Sequence, residues 1–272
     1  MLFKFALIST ALCMISPAAV RSGNSEAEWL ATSATYAGGK PVQTGIRLVL
    51  DKGWHTYWLN PGEGGMKISV IWELPAGWTA GELEHPVPKR FMTGELPGFG
   101  YEGTVIFPVA FTPPAGAAGA VKLKGKLSWL TCNDSACVPG TANLELDLMA
   151  GTPAATAEAG LIEDALKLVP RPNPRVALSV EETPATLILT LHGATKMERF
   201  DISGYEVFPA TPSVIDPAAK IDLVRSSEVM TAEVPRSEYA SRPIKALSLV
   251  LAGKPGKPPF SVTWTRPTEK TN

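Results

Sequence analysis

Val121-Lys122-Leu123-Lys124-Gly125-Lys126-Leu127-Ser128-Trp129 alternates without a break: Val121, Leu123, Gly125, Leu127 and Trp129 share one side, and three lysines and Ser128 share the other. A period of two is what a half-buried β-strand requires, because successive side chains leave opposite faces of a pleated chain. Cys132 follows, then Asn133-Asp134-Ser135-Ala136 and Cys137, and alternation resumes after Pro139-Gly140 in Ala142-Asn143-Leu144-Glu145-Leu146-Asp147-Leu148. Asn-Asp-Ser between two such runs is turn chemistry, with Pro139-Gly140 read as its stop. The stretch therefore predicts a hairpin of two core strands with both cysteines at its tip, where a turn could fold them face to face.

The same texture extends outward. Short alternating or apolar runs at 45–50, 67–72 and 104–111, divided by Gly, Pro and Asn, read as further strands, as do 175–180, 185–191, 220–224, 229–234, 244–251 and 260–264. Only 156–169 changes period: Leu161, Ile162, Ala165, Leu166 and Val169 fall at helical spacing, Thr156 can cap the start, and Pro170-Arg171-Pro172 stops it. Long helical patterns do not alternate with the strands, so the expected fold is all-β: two immunoglobulin-like β-sandwich domains joined by a short helical linker. The expected boundaries are 19–150 for the first domain, 151–174 for the linker, 175–267 for the second domain and 268–272 for a tail. A length of 272 residues suits two domains, each able to bury a core.

Lys4 followed by the apolar run 5–15 and by Ser16-Pro17-Ala18 has the layout of a signal peptide, expected to span 1–18 and to be cleaved near Ala18, taking Cys13 with it. No later stretch approaches about 18 uninterrupted apolar residues, so no direct membrane span is expected. Export places Cys132 and Cys137 where a disulfide persists. A formal net charge of −1 with mixed signs offers no stripe for nucleic acid and no polybasic tail.

Cys132 and Cys137 are the strongest candidates for chemistry. They read either as a structural staple or as an exchange site, and closing so short a loop removes little unfolded-state entropy. No Lys, Arg or His stands within two residues of either cysteine to lower a thiol pKa, and Asp134, if close, would raise it. His55, in Gly53-Trp54-His55-Thr56-Tyr57-Trp58-Leu59-Asn60-Pro61-Gly62, has no Cys or His at ligand spacing and reads as part of an aromatic core strand, so no metal and no cofactor are expected. Met66 and Met92 read as core filler, Glu63, Glu95 and Glu102 as solvated acids, and Pro75-Ala76-Gly77 and Gly98-Phe99-Gly100 as connecting turns. No Gly-x-Ser-x-Gly elbow is present. The second half has no cysteine and only His192, and no chemistry is read there.

Trp54-His55-Thr56-Tyr57-Trp58-Leu59-Asn60-Pro61-Gly62, Phe91-Met92-Thr93-Gly94 with Gly100-Tyr101-Glu102-Gly103, and Trp129-Leu130-Thr131-Cys132 with Cys137-Val138-Pro139 follow one another in an order that resembles the N-terminal periplasmic region of DsbD-type thiol:disulfide interchange reductases, the longer ScsB-like branch in particular. The likeness continues through the helix to Val207-Phe208-Pro209-Ala210 and Val214-Ile215-Asp216. It implies a periplasmic immunoglobulin-like domain whose pair, here Cys132 and Cys137, takes electrons from a membrane-embedded reductase and passes them to thioredoxin-fold clients. It also implies an aromatic cap over the disulfide, with Phe91 at the matching position. Lys89 and Arg90 stand where some members carry acids, and the cysteine spacing of four differs from that of either branch. The family usually continues into membrane helices and a thioredoxin-like domain, so the expected partners are a separately encoded membrane thiol reductase and periplasmic thioredoxin-fold proteins. Cytochrome c maturation and copper tolerance are family roles between which the residues do not choose. The rival expectation is a non-catalytic exported β-sandwich binding or assembly module whose disulfide only pins a hairpin.

Overall fold

The computed structural model describes residues 19–195 and 202–267. The expected signal peptide, Cys13 and the tail 268–272 lie outside the described residues. In chain order the first strands are β1 Val20–Ser22, β2 Ser25–Ala31, β3 Thr35–Tyr36, β4 Val42–Leu50, β5 His55–Gly62, β6 Ser69–Glu73, β7 Thr79–Ala80, β8 Lys89–Thr93, β9 Leu96–Glu102, β10 Thr104–Thr112, β11 Ala120–Cys132 and β12 Cys137–Ala150. Helix α1 spans Ala159–Lys167 and is followed by β13 Arg171–Pro172, β14 Val176–Glu182, β15 Thr186–Gly193, β16 Tyr205–Pro209, β17 Val224–Ser226, β18 Val229–Pro235, β19 Ala246–Gly253 and β20 Phe260–Thr265. The fold is all-β apart from the one helix found among the described residues, as the alternation predicts.

One sheet has the order β1-β2-β4-β10-β7, and a second runs β3-β12-β11-β5-β9-β8 with β6 also paired to β11. Their facing side chains make an aromatic core that includes Trp29, Trp58, Trp129, Phe99, Phe107 and Phe111. Indole N–H groups do not enter it unpaired on every ring: Trp29 Nε1 donates to Thr44 Oγ1 (3.1 Å) and Trp129 Nε1 to Ser25 Oγ (2.9 Å), which offsets the cost of burying a donor. The other two sheets, β13-β20-β19-β16 and β14-β15-β18-β17, enclose a core built on Leu187, Leu189, Leu191, Leu247, Leu249 and Leu251.

Three details depart from the sequence reading. Thr156 does not cap α1: Glu158 holds the N-cap position without a side-chain cap, and Thr156 Oγ1 donates to Ala31 O (2.5 Å). The helix itself is held by Ile162 and Ala165, which pack on Leu30 and Ile106. Residues 220–223 form no strand, although Ile221 is buried, and strand pairing there begins at Val224. Gly98-Phe99-Gly100 is not a turn but the middle of β9.

Candidate functional site

β11 and β12 pair without interruption from Ala120↔Met149 to Cys132↔Cys137, so the two cysteines are direct cross-strand neighbours at the tip, joined by a disulfide with Cα atoms 4.1 Å apart. The tip is closed by Asn133. Its N–H donates to Ala136 O (2.9 Å), while its side-chain Oδ1 accepts from the Ser135 and Ala136 N–H groups (2.9 and 2.8 Å). This is the local bonding for which Asn is favoured in turns.

Pro139-Gly140 does not end the turn, because β12 runs straight through it. Beyond β11, β12 is paired only at Met149 and Ala150, by β3, so a residue lacking an N–H is tolerated on its open edge at Pro139. Gly140 lies opposite Trp129, and a Cβ there would collide with the indole. The inner side of the tip is anchored too: Thr131 Oγ1 bonds Gly23 O, and Thr56 Oγ1 donates to Leu130 O (2.9 Å). The disulfide therefore sits on a fixed mount.

Alternation puts Trp129 inward and both cysteines on the outer face of the sheet, yet Cys132 is completely buried while Cys137 is exposed. The neighbours of Cys132 explain its burial. β5 meets β11 only at Thr131↔Thr56 and Cys132↔His55, which sets the His55 side chain beside Cys132 on the same face. His55 pairs in turn with Glu102 on β9, giving a row across four strands: Cys137, Cys132, His55, Glu102.

Phe91 covers this row from β8. Its ring lies 3.9 Å from the His55 ring, centre to centre, and 5.5 Å from that of Tyr57, and His55 Nε2 is bonded to Thr93 Oγ1 (2.9 Å). The ring rests on the two glycines of Gly98-Phe99-Gly100. A Cβ at Gly98 would stand 2.7 Å from Phe91 Cε2, and one at Gly100 would stand 2.9 Å from Cε1. Phe99 points inward, so the glycines leave a flat seat on the outer face. Phe91 thus joins the pair through His55, which it covers and which flanks Cys132.

Burial lowers the pKa of His55, against the opposing fields of Glu102 and Asp134, and burial raises that of Tyr57. A neutral imidazole therefore lies next to Cys132 at neutral pH. Counting sequence neighbours shows no base near the cysteines. The missing signal was register: no local pattern tells which residue of a distant strand will lie opposite Cys132.

Lys89 and Arg90 also find their places. Arg90 faces inward, opposite Phe99, with its guanidinium 4.9 Å from the Phe99 ring and 5.3 Å from the Phe208 ring. It donates to Val207 O and Pro217 O (both 3.3 Å) and lies 3.3 Å from the Glu206 carboxylate. Asn60 Nδ2 donates to Pro209 O (2.7 Å) in the same seam. The Val207-Phe208-Pro209 motif is thus the grip of β16 on the strands around Phe91. Lys89 is exposed on the outer face. Met66 and Met92 are exposed rather than core filler, Glu95 and Glu102 are exposed and Glu63 is half-buried, and no cluster of three or more His, Cys, Asp and Glu suited to a metal occurs among the described residues. No described helix is long and apolar enough to cross a membrane.

Residues 26–148 match the family described as thiol:disulfide interchange protein DsbD, N-terminal. The crystal structure of the N-terminal periplasmic domain of ScsB from Proteus mirabilis superposes with a TM-score of 0.65 at 21% identity, covering 89% of this chain and 93% of that one, which shows a shared fold. The sporulation control protein Spo0M from Bacillus subtilis aligns over 90% of this chain and 91% of its own, at 9% identity and a TM-score of 0.24, too low to mean a common fold. No curated protein matches. Both cysteines and their tip fall inside the matched segment, so the part of the chain that carries the site is the part that matches the DsbD N-terminal family.

Proposed function

We propose that the chain is a periplasmic thiol-disulfide relay, a protein-disulfide reductase component. In this reading an immunoglobulin-like sandwich, 19–150, carries the working pair, 151–174 joins it to a second sandwich at 175–267, and Phe91 caps the disulfide. The pair accepts two electrons from a membrane-embedded thiol reductase and delivers them to periplasmic thioredoxin-fold proteins. The observation that carries this reading is the asymmetry of the disulfide: Cys132 is completely buried and Cys137 is exposed at a rigid tip. A bridge that served only to pin the hairpin would gain nothing from presenting one sulfur.

The asymmetry supports one order of events. A donor thiolate attacks Sγ of Cys137, because that end of the bond is open to approach in line. The S–S electron pair leaves on Sγ of Cys132, which takes up a proton. A second donor thiol then reduces the mixed disulfide, leaving Cys132 and Cys137 as thiols and the donor oxidised. Toward a client the sequence reverses: the Cys137 thiolate attacks the client disulfide, and Cys132 resolves the product.

Two measurements test the relay. Its disulfide should have a reduction potential above about −300 mV, the level below which structural disulfides resist reduction. Cys132→Ala should capture a thioredoxin-fold protein as a stable mixed disulfide through Cys137, and Cys137→Ala should not. A potential below that level, or no capture by Cys132→Ala, would leave the disulfide as a hairpin staple.

A further inference from the structure

The strand register puts one titratable side chain against the buried sulfur, and the relay as described above gives it no task. His55 is opposite Cys132, buried to 5% exposure on a face that the strand pattern alone would make solvent-facing. Its Nε2 is fixed by Thr93 Oγ1 and its ring is clamped by Phe91 and Tyr57, so the imidazole has little freedom to turn away. Directly opposed residues of an antiparallel pair have Cβ atoms about 4.5–5.5 Å apart, within reach of an imidazole-to-sulfur hydrogen bond. We propose that His55 is the proton acceptor for Cys132 in the resolving step, and this rests on the relay reading.

After Cys137 has attacked a client disulfide, Cys137 and the client share an S–S bond and Cys132 is a buried thiol. Burial disfavours its thiolate, so resolution is slow unless the proton has an acceptor at hand. His55 takes the proton from Sγ of Cys132, and the sulfur's electron pair forms the bond to Sγ of Cys137. The bond from Cys137 to the client sulfur breaks, its electron pair leaves on the client, and the client thiolate regains a proton from the imidazolium by way of solvent. Cys132 and Cys137 end oxidised and the client reduced.

The charged and titratable groups around His55 fit an acceptor. Glu102 faces it from β9 and Asp134 from the hairpin tip, and both acidic fields favour the imidazolium that forms when the proton arrives. Tyr57 on its own strand and Thr93 on β8 are neutral at pH 7. Desolvation keeps the resting imidazole neutral, the form a base requires.

The test uses the reduced protein and dithiodipyridine, whose two thiopyridone halves are released one at a time. The first release reports Cys137 attacking the probe, and the second reports Cys132 resolving the mixed disulfide. In His55→Gln the first phase should stay within about twofold of wild type, which also shows that the tip is folded. The second should slow about 100-fold at pH 7, the lower end of what a positioned general base contributes. Wild-type protein supplies a second readout without mutation: its second phase should be flat from pH 8 down to about 6.5 and fall below that as His55 takes a proton. A second phase that is unchanged in His55→Gln, or a wild-type profile that climbs tenfold per pH unit between 6.5 and 8 as a bare thiol does, would overturn the assignment. The relay itself fails by the capture experiment, an independent assay, so the two failures are told apart.

Discussion

The two large cores of this chain are made of different side chains. Beneath the cysteine hairpin ten of the 25 buried core residues are aromatic, whereas the buried members of the core of β14 to β20 include none. Aromatic rings bury the most surface per residue and set geometry through edge-to-face contacts, as between Trp72 and Phe111 at 4.9 Å and 89°. Aliphatic packing supplies burial with less directional demand. The difference teaches that the first core orients a site while the second acts as its brace, and the two meet at Phe208. This ring lies on β16, yet it packs edge-on against Trp58 and Phe99 and belongs to the aromatic core.

Cutting that seam should give the largest effect. Phe208→Ala should cost about 4 kcal/mol, the range for truncating a buried Phe. Urea unfolding of the variant should separate into two transitions, one for each core, while the wild type unfolds in one. A single transition with a loss under ~1 kcal/mol would mean that the brace is not coupled to the site.

The next largest effect belongs to the aromatic core alone. His85 packs edge-on against Phe107 at 5.3 Å, its Nε2 is buried without a hydrogen-bond partner, and burial lowers its pKa to about 4. An unfolded histidine titrates near 6.5, so between pH 6.5 and 4 the unfolded chain binds a proton that the folded chain refuses. Stability should fall as pH drops through that window, by on the order of 3 kcal/mol from this group, and level off below it. His85→Leu should remove this part of the slope, seen as the difference between the two proteins in urea midpoints at pH 7 and pH 4.5. Equal slopes would show that His85 takes up a proton freely.

What could be read from the sequence was whatever repeats locally. Alternation found β11 and β12 and put the cysteines at their tip, because burial of one face enforces period two. It could not show that Pro139-Gly140 lies inside a strand, since the tolerance comes from an open edge and the glycine from the Trp129 ring lying opposite. Gly98-Phe99-Gly100 looked like a turn for the same reason: small residues mark both bends and places where another side chain comes close. In 220–224 apolar alternation was real, and Ile221 is buried, but no neighbouring strand pairs with it there. β16 escaped notice as a strand although its Val207-Phe208-Pro209 motif was visible, because one short run does not reveal its period. The position of His55 beside Cys132 leaves no local trace in the sequence, because it depends on register between strands far apart in the chain.

The smaller effects probe how firmly this seam holds Phe91. Gly98→Ala places a methyl where the Phe91 ring rests, so the ring must lift from its seat and uncover His55 and the flank of Cys132. Reduction of the disulfide by dithiothreitol should then accelerate about tenfold, equivalent to ~1.4 kcal/mol less protection. An unchanged rate would show that Phe91 does not limit access. Arg90→Lys acts from the other side of the same strand. A lysine keeps the charge near Glu206 but loses the planar fork that reaches both Val207 O and Pro217 O, and it stacks less well on Phe99 and Phe208. Because Arg90 and Phe91 are adjacent and point to opposite faces, loosening the first should let the second move. The expected acceleration is about twofold, with a stability loss of about 1 kcal/mol. If Arg90→Lys loses that stability and the reduction rate does not change, the seam supports the fold without governing Phe91, and the two cores are coupled in stability alone.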